Sequence, residues 1–372
     1  MGRIRVLLVI AGLPAGGAER QMALLAHHLD RATFEPGLLI FGRRERIHYA
    51  QLVDDVPWFR SLELSHAVPR PLLPARLFGG LRRAVAEFRP DILHSSLNKA
   101  NQALRATAML SGWRSPIVTS VRNDFRHGYS RSEKWAERLL VHRSRRVIAN
   151  SEAVRRQLIE DLSLSPERVV TVNNGIDPRF FGDTAAPPPE WWPSGRVALM
   201  VGRFSAQKDH LGLMRLLAGF EASGRLADWH FVLVGEGPLE AAIRAAAPPG
   251  RVTIRPPMDD LRPLYRAASV LLLPSRWEGM PNVALEAQAS GCPVALTPAA
   301  NAASVVDAGS GWILEEPVAR SLDCVLATPA AEFRRMGSEA RHGVVRRFSV
   351  EAMVTGTAAV YGDLLTRASN SG

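Results

Sequence analysis

Residues 270–296 read Val270-Leu-Leu-Leu-Pro274-Ser-Arg-Trp-Glu278-Gly279-Met280-Pro281-Asn282-Val-Ala-Leu-Glu286-Ala-Gln-Ala-Ser-Gly291-Cys292-Pro293-Val294-Ala-Leu296. A short run of branched aliphatics opens the stretch, a helical pattern of about ten residues follows, and a second aliphatic run closes it. Pro281 suits the first helical position, where its missing N–H costs nothing. Gly291-Cys292-Pro293 stops the helix. The unit is strand, loop, helix, strand, with strands too continuously apolar to have a wet face, so it predicts a parallel sheet covered on both sides.

The same alternation runs outward in both directions. Before residue 183, runs at Arg5–Ile10, Gly37–Phe41, Asp91–Ser95, Ile117–Val121, Arg146–Ala149 and Val169–Val172 read as strands, with helical patterns between them. Asp183-Thr-Ala-Ala-Pro187-Pro188-Pro189-Glu-Trp191-Trp192-Pro193 cannot be a helix interior or a central strand. Beyond it the alternation restarts at Val197–Val201. The expected organisation is α/β: a first doubly wound, Rossmann-like domain over 1–183, a proline-rich linker over 184–195, and a second such domain over 196–348. A final helical pattern fills 349–367.

The chain has 372 residues, 47% of them hydrophobic, enough for two domains and wrong for a fibrous or disordered protein. Its longest apolar runs, such as Val6–Ile10, fall far short of the roughly 18–20 residues of a membrane span. The charged start before Val6 imitates a signal peptide, but a run this short, ending in glycines, reads better as a strand. Two cysteines cannot make a disulfide framework and suit a reducing compartment. Net charge is +10, and the excess is one-sided: residues 1–186 hold 28 Lys and Arg against 18 Asp and Glu, the remainder 18 against 18. A basic face of this kind suits an anionic partner.

Open α/β sheets bind ligands beyond the carboxyl ends of their strands, where helix N-termini favour phosphate. Gly12-Leu-Pro-Ala-Gly16-Gly17 is such a place, although it matches neither the dinucleotide nor the P-loop spacing. Gly202-Arg203-Phe204-Ser-Ala-Gln-Lys208-Asp209-His210 is a second; Arg203 and Lys208 could together neutralise a diphosphate. Lys208 is one of only three lysines in the chain. Val234-Gly235-Glu236-Gly237-Pro238 is a third. In the opening stretch, Glu278 in the loop and Glu286 in the helix bracket a helix N-terminus, and carboxylates accept hydrogen bonds from sugar hydroxyls. Diphosphate and hydroxyl recognition together point to a nucleotide sugar.

In order and spacing these motifs, with Asn174-Gly175-Ile176-Asp177, resemble the family 4 retaining glycosyltransferases of the GT-B fold, two Rossmann-like domains facing across a cleft. The resemblance implies that Arg203 and Lys208 bind the donor diphosphate, that Glu286 holds the ribose and that Glu278 holds the transferred sugar. Gly279, Met280, Asn282 and Gly235 fall with the donor-binding residues, and Gly16 and Gly17 let the first domain's backbone approach the phosphates. It also implies that the last helix packs back on the first domain. The implied reaction moves a sugar from a nucleoside diphosphate sugar, UDP being the expected nucleotide, to a glycan or lipid-linked acceptor in bacterial cell-surface glycan synthesis. Arg203 and Lys208 leave no requirement for a metal or cofactor. Many family members have a histidine where this chain reads Ser120-Val121-Arg122; His94 is a possible substitute.

Two rival readings find no support in the motifs. A two-domain nicotinamide oxidoreductase lacks its G-x-G-x-x-G fingerprint here, and a nucleic-acid binder lacks any helix-turn-helix, finger spacing or aromatic platform, so no nucleic acid is expected. The expected location is the cytoplasm, at the inner membrane face. Residues 131–146 cluster Arg131, Lys134, Arg138, Arg143, Arg145 and Arg146 around Trp135, Leu139 and Leu140. Either that segment grips an anionic membrane, or Trp135 and Leu139 pack on the sheet.

Overall fold

The computed structural model describes residues 2–14, 16–46, 49–64, 72–182, 186–307 and 309–369. The chain divides into two compact units: residues 1–175 with 350–372, and residues 176–349.

The first unit is built on seven parallel strands, β1 (Ile4–Ile10), β2 (Phe34–Ile40), β3 (Trp58–Ser61), β4 (Ile92–Ser96), β5 (Ile117–Val121), β6 (Arg146–Ala149) and β7 (Val169–Thr171), in the order β3-β2-β1-β4-β5-β6-β7. Helices α1 (Gly17–His28), α2 (Ala50–Val53), α3 (Leu73–Phe88), α4 (Asn98–Ser111), α5 (Phe125–Gly128), α6 (Arg131–Leu140) and α7 (Glu152–Leu162) connect them. Val6 to Ile10 are wholly buried, as a strand covered on both faces must be.

The second unit has six parallel strands, β8 (Arg196–Val201), β9 (Trp229–Val234), β10 (Val252–Arg255), β11 (Val270–Leu273), β12 (Val294–Leu296) and β13 (Gly311–Ile313), in the order β10-β9-β8-β11-β12-β13. Its helices are α8 (His210–Ala222), α9 (Glu240–Ala246), α10 (Arg262–Ala267), α11 (Asn282–Ala289), α12 (Val318–Ala327) and α13 (Ala330–Arg347). The strand order reverses between β8 and β11, so the loops after those two strands flank the crevice where an open α/β sheet takes its ligand.

The final helix, α14 (Val350–Ser369), belongs to the first unit. Val350, Met353, Val360, Tyr361 and Leu364 join the core that α1 forms against β1 and β2. Each fully buried aliphatic or aromatic side chain of that kind is worth about 1.5–3 kcal/mol.

The boundaries differ from those expected from sequence. The chain enters the second unit at Ile176, upstream of the proline-rich segment, because Ile176 and Phe180 are buried in that unit's core and the Phe180 ring lies 6.3 Å from Tyr265. Trp191 and Trp192 pack against the same core, so residues 186–195 form part of the second unit's surface layer. Residues 183–185, the end of the expected first domain and the start of the expected linker, lie outside the described residues.

Candidate functional site

The loop after β8 and the loop after β11 are bonded to each other. The Arg276 amide donates to the Gln207 carbonyl at 2.8 Å, and the Arg276 guanidinium pairs with Asp209 at 2.9 Å. Gln207 Nε2 donates to the Trp277 carbonyl at 3.0 Å. Lys208 Nζ meets Glu278 Oε1 at 2.6 Å. The two side chains are 15% and 10% exposed, which shields the pair while leaving it a way out to a ligand.

Glycine lets the loop after β9 support this arrangement. A Cβ on Gly235 would lie 2.0 Å from the Gly202 carbonyl oxygen, and one on Gly237 would lie 2.5 Å from the Phe204 carbonyl oxygen. Only bare backbone fits between the two loops, which are tied by Gly202 N–H to Val234 O and Phe204 N–H to Glu236 O. Gly235 therefore has a packing requirement of its own, whether or not it approaches a donor.

His210 opens α8 beside Lys208. It is buried, its ring nitrogens have no hydrogen-bond partner among the described residues, and its ring stands edge-on to Phe204 at 4.9 Å. Burial, and then the charge of Lys208, push its pKa down to about 4. A neutral imidazole there does not compete with Lys208 for an anion.

Pro281 sits one place earlier than expected: it is the extended N-cap of α11, and Asn282 is the first helical residue. Gly279, Met280 and Asn282 gather at this helix start, whose unsatisfied N–H groups favour negative charge. The Met280 side chain is committed to the core, which leaves only its backbone for any contact at the helix start. Glu286, 5% exposed, lies further along α11 and accepts from the Tyr265 hydroxyl at 3.2 Å. Arg203, on the Lys208 loop, is exposed.

In the first unit, Gly16 is the N-cap of α1 and Gly17 its first residue, at the end of β1 and beside that sheet's own reversal point between β1 and β4. The Tyr49 hydroxyl donates to the Gly16 carbonyl at 3.0 Å. Ala15 lies outside the described residues.

His94 is a structural residue and no substitute for a sugar-binding histidine. It is fully buried, with Nδ1 2.5 Å from the Tyr361 hydroxyl and Nε2 2.8 Å from Ser120 Oγ. Burial, and then Arg122, hold it neutral with a pKa of about 3. Arg122 donates to Asn174 Oδ1 at 2.7 Å, and the Gln21 amide pairs with both the N–H and the carbonyl of Gly175 at 2.7 Å. Tyr265, Gln207 and Asp209 escaped the sequence reading; Gln207 and Asp209 flank Lys208 and could have been suspected from position, whereas Tyr265 carries no local signal. No group of three His, Cys, Asp or Glu side chains suited to a metal ion occurs among the described residues.

Two Rossmann-like units, one of them with a cation–carboxylate pair at its reversal point, make up the architecture seen in GT-B proteins. Residues 15–180 match the model for Glycosyltransferase Family 4, and residues 195–327 that for Glycosyl transferases group 1. The chain belongs to the family 4 glycosyltransferases, and it is an enzyme that draws on a nucleotide-sugar donor. A D-inositol 3-phosphate glycosyltransferase of Salinispora tropica is 30% identical over 405 residues, covering 94% of this chain and 81% of its own. A UDP-Gal:alpha-D-GlcNAc-diphosphoundecaprenol alpha-1,3-galactosyltransferase of Escherichia coli is 26% identical over 220 residues, 55% of this chain and 56% of its own. In fold, the chain is similar to the Anabaena protein HepE in complex with UDP-glucose, with a TM-score of 0.78 at 18% identity, covering 97% of this chain and 100% of that one.

Proposed function

We propose that the protein transfers a sugar from a UDP-sugar to a hydroxyl of a lipid-linked or polysaccharide acceptor in bacterial cell-surface glycan synthesis, with retention at the anomeric carbon, at the cytoplasmic face of the membrane. The carrying observation is the Lys208–Glu278 pair at 2.6 Å, set where the strand order reverses. A diphosphate drawn to Lys208 leaves the adjoining sugar ring beside Glu278. Arg203 shares the diphosphate charge, Glu286 takes the ribose hydroxyls, and backbone N–H groups at Gly279, Met280 and Asn282 complete the anion cradle.

In the same-face route the bond from C1 to the leaving phosphate oxygen breaks and its electron pair departs with UDP. The acceptor oxygen bonds C1 on that face, and its proton passes to the leaving phosphate. The protein then supplies position and positive charge, which Lys208, Arg203 and the start of α11 can give. The proposal invokes no metal, since two cations already meet the departing charge. UDP as the nucleotide is supported by the UDP-glucose bound to HepE and by the UDP-galactose of the Escherichia coli relative, whose acceptor is lipid-linked.

The test is a panel of UDP-, GDP- and ADP-sugars assayed by thermal shift and nucleoside diphosphate release, with NMR of the product's anomeric centre. Stabilisation by UDP-sugars and a retained configuration are expected. Preference for another nucleotide, or an inverted product, overturns the corresponding part.

A further inference from the structure

Helix α6 is inside out. Its inward side is polar: Glu137 is wholly buried and paired with Arg105 Nη1 at 2.6 Å, Asn98 Nδ2 donates to Glu133 Oε1 at 2.6 Å, and Gln102 Nε2 donates to the Glu133 carbonyl at 2.9 Å. Arg105 is held in turn by Ser144 and Thr119, each at 2.7 Å. Glu133 and Glu137 face α4. Trp135 and Leu139, each two residues on, therefore point roughly 200° away, since successive helical residues turn by about 100°. They are 66% and 59% exposed, so the expectation that they pack on the sheet is not met.

The exposure continues onto α4. At its C-terminal end Met109 is 60% and Leu110 71% exposed. These four are the most exposed large hydrophobic side chains among the described residues. The two helices run side by side in the same sense, as the pairings Asn98 with Glu133 and Arg105 with Glu137 show. An ordinary covering helix buries such residues; this pair presents them.

Charge decides what they are presented to. Residues 92–151 contain eleven Lys and Arg and three acids, Asp124, Glu133 and Glu137. All three acids are bonded inward: Asp124 to His127 and Gln157, and the two glutamates as above. Arg131 and Arg138 stand exposed beside Trp135 and Leu139. A second copy of the chain would set these arginines against their own equivalents. The complement of an apolar centre with a cationic rim is an apolar interior under an anionic surface.

We propose that α6 and the C-terminal end of α4 dock the first unit on an anionic lipid bilayer. This deepens the lipid-linked acceptor reading and rests on it for its purpose: the docked enzyme meets an acceptor held in the same surface.

Co-sedimentation of the full chain with phosphatidylcholine vesicles, with and without phosphatidylglycerol, tests it. The expected result is binding to the phosphatidylglycerol vesicles alone, fading as salt rises from about 0.1 M to about 0.5 M. Replacing exposed residues should leave the fold and UDP affinity unchanged. Trp135→Ser with Leu139→Ser should cut partitioning at least about tenfold, and Arg131→Ala with Arg138→Ala about 25-fold, near fivefold per charge. Absence of binding to either vesicle at low salt, equal binding to both, or a dimer abolished by the Trp135 and Leu139 changes would each overturn the proposal. A chain that ignores vesicles yet glycosylates a lipid-linked acceptor in detergent keeps its proposed function and loses the docking face. One that binds as expected but leaves such acceptors untouched keeps the face and loses the acceptor.

Discussion

Lys208 and Glu278 are 70 residues apart in sequence and form a 2.6 Å ion pair. Each comes from a loop at the end of a strand flanking the reversal point of one sheet, so the fold itself makes the pair. Each charge is neutralised by the other.

Lys208→Ala should therefore lower kcat/KM about 10- to 150-fold, the equivalent of one charge-assisted hydrogen bond of about 1.5–3 kcal/mol, with little change in melting temperature. Nucleoside diphosphate release under substrate-limited conditions reads the effect. Turnover close to that of the unaltered enzyme removes Lys208 from the diphosphate.

The two glutamates should separate by ligand. Glu286→Ala is expected to weaken free UDP in calorimetry, and Tyr265→Phe to weaken it in the same direction, because the Glu286 carboxylate loses the hydroxyl hydrogen bond that positions it. Glu278→Ala should leave free UDP nearly untouched and weaken the intact donor. Equal loss of UDP in the Glu278 and Glu286 variants would show that the assigned division between sugar and ribose is wrong.

Arg105 and Glu137 are both wholly buried, and removing one strands the other. Glu137→Ala should cost about 3–5 kcal/mol in urea unfolding. Arg105→Met combined with Glu137→Leu should recover much of that loss, because an apolar pair of similar volume has no charge to desolvate. If the double variant is no better than the single one, the pair is worth more as an ion pair than its desolvation allows.

Acid should weaken the first unit through His94. Its folded pKa of about 3 lies below the ordinary 6.5, so between those values the unfolded chain binds the extra proton and stability falls as pH drops. The slope from this group approaches about 1.4 kcal/mol per pH unit within the window, and its contribution is complete above pH 6.5. His210, depressed to about 4, gives the second unit a slope of the same sign. Denaturant midpoints at pH 7 and pH 5 should differ less in His94→Gln than in the unaltered protein, and parallel shifts would show that His94 carries no such load.

Much of this was legible in the sequence because it is local. Continuous aliphatic runs such as Val6–Ile10 and Val270–Leu273 can only be strands covered on both sides, and Lys208, Glu278 and Glu286 stand at strand ends or in the following helix. Long-range facts were not legible. β3 and β13 are short and only half-buried, so Trp58–Ser61 and Gly311–Ile313 show no apolar run. The entry to the second unit at Ile176 depends on Phe180 finding Tyr265, 85 residues away, and prolines at 187–189 gave a louder but misleading local signal. His94 looked available because its partner Tyr361 is 267 positions distant. The orientation of α6 hinged on Arg105, a residue outside the helix.

That α14 completes the core of the first unit sets an order on how the protein is made. The ribosome finishes residues 1–175 first, yet their apolar surface stays open until Val350, Met353, Val360, Tyr361 and Leu364 have emerged some two hundred residues later. The second unit, drawn from one uninterrupted stretch, can close while the first still waits. A message cut short anywhere after residue 175 and before 350 thus releases a chain whose leading half has no lid for its interior, and quality-control proteases meet exposed β1 and α1 surface even when the second unit is sound.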